Sequence, residues 1–147
     1  QTPWTPSISI FYALDAALNL MLQEGLSNIF ARHARVAQIA RSGIKSLGLS
    51  LFAEENYASN TVTAVSAFGR KGEKNDSTKC FAAEPQIDVP KLIQVLRDEY
   101  DVVIAGGQRK LAGKIFRVGH LGWVTENDIK SVLDALAKAL PKSRSLS

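Results

Sequence analysis

The run Thr61-Val62-Thr63-Ala64-Val65-Ser66-Ala67-Phe68 restricts the fold more than any other. β-Branched side chains lose rotamer freedom in a helix and pack well on a pleated surface, so the run reads as a strand. A strand needs ladder partners for its backbone polar groups. The best second strand is Gly113-Lys114-Ile115-Phe116-Arg117-Val118-Gly119-His120-Leu121-Gly122. Its alternation sends Phe116, Val118 and His120 to one face, and Ile115, Arg117 and Gly119 to the other. Leu49 to Phe52 and Val102 to Ala105 read as two shorter strands.

Helical periodicity fills the remainder. Gln1 to Pro6 forms an extended lead-in, with Thr5 or Ser7 as the cap of a first helix. Phe11, Tyr12, Leu14, Leu18, Met21 and Leu22 cover more than one face of that helix, so it should be buried on several sides against a neighbouring domain or subunit. Gly25 stops it, and Ser27 can cap a second helix carrying Ile29, Phe30, Val36, Ala40 and Ile44 at helical spacing. Arg32, Arg35, Arg41 and Lys45 lie largely off that stripe, as on a solvated face. Asp88 caps a third helix with Pro90 in its first turn. Thr125 and Asp128 resemble a capping box for a fourth, closed by Pro141, and the tail from Lys142 should fray. Two helices, two strands, helix, two strands and helix predict an α+β fold: a mainly antiparallel sheet of about four strands with helices on one face.

Composition narrows the function. A chain of 147 residues with 46% apolar residues suits one domain with an ordinary core. The net charge of +4 is scattered from Arg32 to Arg144, which argues against nucleic acid as a partner. The apolar stretch Ile8 to Leu22 is broken by Asp15 and Asn19 and falls short of a bilayer span, so no membrane segment is expected. Cys80, the single cysteine, excludes an internal disulfide. The chain opens at Gln1 without a signal-peptide pattern, which predicts a fragment or processed product that is not secreted, from the cytoplasm or an organelle matrix. Gly69 to Gln86 is charged and poor in apolar residues in its first part, and reads as an exposed surface insertion.

Few residues offer chemistry. No phosphate loop, metal-ligand spacing or nucleophile elbow occurs, and no metal site is expected. His33 falls on a helix stripe and reads as a core histidine. Arg117 is different, because it interrupts an apolar strand. Its guanidinium carries five donors in a rigid fork, suited to a carboxylate or phosphate, and Gly119 leaves room beside it. An ion pair with an acid of its own domain explains the same residue equally well. Gly106-Gly107-Gln108 forms a turn next to this strand that could face a ligand or could simply connect two strands.

The ordered series Thr5-Pro6-Ser7, Glu24-Gly25-Leu26, Arg32-His33, Leu47-Gly48-Leu49, Thr61 to Val65, Gly106-Gly107-Gln108 and Gly113 to Gly122 resembles the C-terminal part of class V aminotransferases. The nearest branch is that of the alanine-glyoxylate and serine-glyoxylate enzymes. The resemblance runs over nearly the whole chain and implies the small domain, residues 1–147, of a homodimeric fold type I enzyme that uses pyridoxal 5'-phosphate. Residues 1–24 would form the lead-in and linking helix, and 69–86 the surface insertion. By the same resemblance Arg117 binds the carboxylate of a small amino-acid or 2-oxo-acid substrate. Thr5 reaches the cofactor phosphate across the dimer, and Thr2 stands where many relatives carry a phosphate-binding tyrosine. Gly107 and Gln108 lie near the substrate. The Schiff-base lysine and most of the cofactor site belong to a large domain missing from this sequence, so no catalytic residue is expected here and the fragment should be inactive. The rival reading is a non-catalytic interaction module that docks through its apolar first helix.

Overall fold

The computed structural model describes residues 4–68 and 86–144. Thr2, Cys80 and all but the last residue of the 69–86 stretch lie outside them. The chain divides into two compact units, Gln1–Arg32 and His33–Ser147.

The first unit is built on helix α1, Ile8–Glu24. Ser7 sits at its N-cap position but its hydroxyl makes no capping bond. Gly25 ends the helix at φ 81, a left-handed conformation that costs glycine nothing. Helix α2, Leu26–Ser46, follows directly, and Ile29 N–H donates to the Gly25 carbonyl. With one residue between the helices there is no space for a separate cap, so Ser27 lies inside α2 rather than ahead of it. Arg32 grips Glu24 in a fork, with Nε at 2.6 Å and Nη2 at 2.8 Å from the two carboxylate oxygens. Among the described residues α1 has no buried side chain, and Ile10, Phe11, Tyr12 and Leu22 are all exposed. Phe30, placed on the inner stripe of α2 by its spacing, is exposed as well.

The second unit contains an antiparallel sheet of four strands in the order β1-β2-β4-β3: β1 Ser50–Leu51, β2 Val62–Ser66, β3 Ala105–Gly106 and β4 Ile115–Gly119. The α+β architecture expected from the sequence is therefore the one found. β2 and β4 are the long central pair, in the register Thr63↔Val118, Ala64↔Arg117 and Val65↔Phe116. Period-two alternation then puts Val65, Phe116 and Val118 into one core with Ile44 of α2, Leu92 and Leu96 of helix α3 (Val89–Tyr100), and Leu136 of helix α4 (Glu126–Ala139). The third strand is shorter than its apolar run. Asp101 ends α3 in a left-handed conformation, and only Ala105 and Gly106 reach the ladder, leaving Val103 exposed.

Both helix starts in this unit are those written in the sequence. Asp88 accepts from the Lys91 N–H at 3.0 Å, with Pro90 in the first turn. Thr125 and Asp128 form a reciprocal capping box ahead of α4. Lys142 to Arg144 correct the expected fraying, while residues 145–147 lie outside the described residues. Ser143 is fully buried and its carbonyl accepts the Asp88 N–H at 2.8 Å, while Arg144 forms a bridge with Ile87. Residues 142–144 are thus tied to the start of α3, because that helix needs an acceptor for its first backbone donors.

Candidate functional site

β2, β4 and β3 build a shallow floor on the side of the sheet away from the core, with Arg117 at its centre. Arg117 pairs with Ala64 on one side and Ala105 on the other. Paired residues share a face, so the guanidinium stem stands between two methyl groups and next to the exposed Gly119. Arg117 Nε donates to the Gly106 carbonyl at 3.1 Å. Its Nη1 and Nη2 make no hydrogen bond or ion pair with any described residue. The ion-pair reading of Arg117 therefore finds no partner among the described residues. A half-buried cation on a small-residue floor, with two terminal nitrogens unengaged, is equipped to take a carboxylate or phosphate.

The adjacent turn explains the paired glycines. Gly107 N–H donates to the Ile115 carbonyl at 2.9 Å, and residues 109–111 make one 3-10 turn folded back on it. A Cβ on Gly107 would stand 2.0 Å from the Leu111 carbonyl oxygen and 2.9 Å from Ile115 Cγ1. Glycine is required there by this close approach. The same fold covers Ile115, which is buried although it lies on the face of Arg117. Gln108 is exposed and caps the 3-10 turn without a side-chain bond. Thr5 is an exposed residue of the first unit.

His120 directly follows β4, on the face opposite Arg117, and is fully buried. Nδ1 lies 3.1 Å from the Asn60 carbonyl, which can only accept, so Nδ1 carries the proton. Nε2 then accepts from the Thr63 hydroxyl at 2.8 Å. Burial holds this imidazole below its ordinary range, against the opposing pull of the Asn60 carbonyl, and Arg41 and His33 add to the lowering. Both ring nitrogens are satisfied, which assigns His120 to fastening β4 against the 60–63 segment. His33 is only half-buried.

Sequence patterning found Arg117, Gly119 and the Gly106–Gly107 turn but not how they fit together. Ala64, Ala105 and the Gly106 carbonyl carry no signal of their own, since they matter only through strand register. Two clefts, one lined by Leu49, Phe68 and Ile87 among others and one by Gly43, Leu47 and Leu133 among others, do not include Arg117. Among the described residues no three His, Cys, Asp or Glu side chains could hold a metal ion, and no helix is long and apolar enough to cross a membrane.

Comparison with known proteins gives this geometry a family. No protein-family model matches the chain. It is 40% identical over 141 residues to an uncharacterized aminotransferase of Methanocaldococcus jannaschii, a match over 95% of this chain and 32% of that protein. It is 39% identical over 125 residues to a serine-glyoxylate aminotransferase of Arabidopsis thaliana, covering 84% of this chain and 27% of that protein. Among solved structures, pyridoxamine-pyruvate aminotransferase from Mesorhizobium loti superposes with a TM-score of 0.80 at 33% identity, over 97% of this chain and 33% of that one. The chain thus spans about a third of the length of the relatives it matches. Aminotransferases of this type depend on pyridoxal phosphate. The chain belongs to the class V aminotransferases, as a stretch equivalent to about a third of such a protein, its C-terminal domain.

Proposed function

We propose that residues 1–147 are the substrate-carboxylate-binding small domain of a pyridoxal-phosphate-dependent aminotransferase, moving an amino group between alanine or serine and glyoxylate or pyruvate. One observation carries this reading: Arg117 presents two terminal nitrogens that no described residue engages, on a floor made by Ala64, Ala105 and Gly119. In the complete homodimer Arg117 takes the substrate carboxylate through two charge-assisted hydrogen bonds and so fixes the orientation of the α-carbon. Pyridoxal phosphate, when bound, supplies the electron sink for the chemistry at that carbon.

The residues present fit part of that task. Thr5 offers a hydroxyl just ahead of α1, suited to the cofactor phosphate of the partner subunit, with Thr2 as a second candidate. Gly107 and Gln108 border the substrate, with Gly107 serving through its backbone. Every described lysine is half-buried or exposed, and Lys45 and Lys142 are paired with Glu55 and Glu99. None is sheltered as a covalent cofactor anchor needs to be. The anchoring lysine is assigned to the large domain, and this chain alone is inactive. The test is Arg117→Ala in the complete enzyme. It should raise KM for the amino acid and cost about 2–5 kcal/mol in kcat/KM. An unchanged kcat/KM removes Arg117 from the site.

The second reading, a docking module, is favoured by the exposed apolar surface of α1. The reading frame upstream of Gln1 separates the two. A large domain with a cofactor lysine supports the enzyme, and a start codon there supports the module.

A further inference from the structure

We infer that the Gly106–Gly107 turn is the positioning element of the anion site, and that it makes Arg117 receive its carboxylate end-on, through Nη1 and Nη2. This rests on the carboxylate-binding reading of Arg117 and specifies its geometry.

A guanidinium has two edges that can meet a carboxylate with paired hydrogen bonds. The side-on edge uses Nε and one terminal nitrogen, and the end-on edge uses both terminal nitrogens. Here Nε–H is already given to the Gly106 carbonyl at 3.1 Å, so the side-on edge is spent within the protein. Among the described residues, only the end-on edge has both its donors available. The Gly106 carbonyl also blocks rotation about the Cδ–Nε bond, which would otherwise let the fork swing off the sheet.

The carbonyl is aimed by the residue after it. Gly107 is held between the start of β4, through its N–H to the Ile115 carbonyl at 2.9 Å, and the Leu111 carbonyl. That second carbonyl accepts the Lys114 N–H at 3.0 Å, so it cannot retreat without breaking another bond. The 3-10 turn that brings it there contains Arg109 at φ 50, a left-handed conformation that strains a residue bearing a Cβ. A side chain at Gly107 would collide with this arrangement and turn the peptide that carries the Gly106 oxygen. Gly106 differs. A Cβ there meets only Ile93 Cδ1 at 3.4 Å and Val89 Cγ1 at 3.9 Å, ordinary contact distances. The two glycines are therefore not equivalent: the first contributes its carbonyl, and the second must remain glycine.

The experiment is NMR on the complete enzyme with labelled arginine, following Nε–H exchange of Arg117 and then titrating with pyruvate. In the native chain Arg117 Nε–H should exchange about tenfold more slowly than that of the exposed Arg109, the protection one hydrogen bond confers. Gly107→Ala should abolish that protection, and Gly106→Ala should keep it. Pyruvate should shift the Nη resonances of Arg117 more than the Nε resonance. Gly107→Ala that folds with native protection overturns the positioning role. Should that variant fail to fold, the native titration decides, because a larger shift at Nε than at Nη overturns end-on docking. Native protection together with no response of any Arg117 resonance to pyruvate refutes the carboxylate reading itself, and end-on docking with it. The two failures are thereby told apart.

Discussion

Thr63→Val tests whether the buried His120 is held as a neutral, doubly bonded ring. The substitution nearly preserves shape and removes one hydroxyl. Thr63 is 4% exposed and His120 0%, so no water replaces the lost donor. The cost is the 2.8 Å bond to Nε2 plus the desolvation of a ring nitrogen left without a partner, about 1–3 kcal/mol. A second consequence separates this from a generic packing defect. Burial lowers the His120 pKa below its ordinary 6.5, so below that pH the unfolded chain binds a proton that the folded one resists. Stability is therefore fully present above pH 6.5 and is lost as pH falls toward the folded-state value. In the native protein the Thr63 oxygen can turn to accept a proton placed on Nε2. Valine cannot, so the variant should resist protonation more strongly and lose more stability in acid. Urea unfolding from about pH 8 to about pH 5 measures both effects. The native and variant curves should diverge as pH falls; parallel curves refute the assigned role of Thr63.

Thr125→Ala removes one half of the capping box before α4 and should cost about 0.5–2 kcal/mol in the same unfolding assay. In the native chain, hydrogen bonds from the Thr125 backbone N–H and hydroxyl hold the Asp128 carboxyl below its ordinary 3.8, and its NMR titration midpoint should move back up in the variant. Stability from this acid is present above the ordinary carboxylate range and is lost as pH falls through the lowered value. Gly43→Ala sets two effects against each other. Alanine gains about 1 kcal/mol of helix propensity, but its Cβ would lie 2.2 Å from Leu133 Cδ1 and force α2 and α4 to repack at about 1–3 kcal/mol. Net destabilisation is expected, and a raised Tm contradicts the packing described.

The α+β order was legible because local signals agree with the tertiary arrangement. β-Branched residues mark β2, Asp88 and Pro90 mark the start of α3, and Thr125 with Asp128 marks α4. Strand register was not legible, because it depends on which chains meet, and with it went the alanine floor around Arg117. Residues 142–144 of the tail were misjudged for the same reason: their anchor is the Asp88 N–H, far away in sequence. α1 shows the opposite mismatch, an apolar helix whose pattern calls for a cover and whose side chains are not buried among the described residues. Ser27 failed as a cap because Gly25 alone joins the two helices.

The central claim is that Arg117 recognises a substrate carboxylate. It is tested most directly by comparing alanine with ethylamine, which lacks the carboxylate, as amino donors for the complete enzyme. The native enzyme should strongly prefer alanine, and Arg117→Ala should lose most of that preference by slowing alanine while leaving ethylamine nearly unchanged. An Arg117→Ala enzyme that keeps the native preference for alanine contradicts the account.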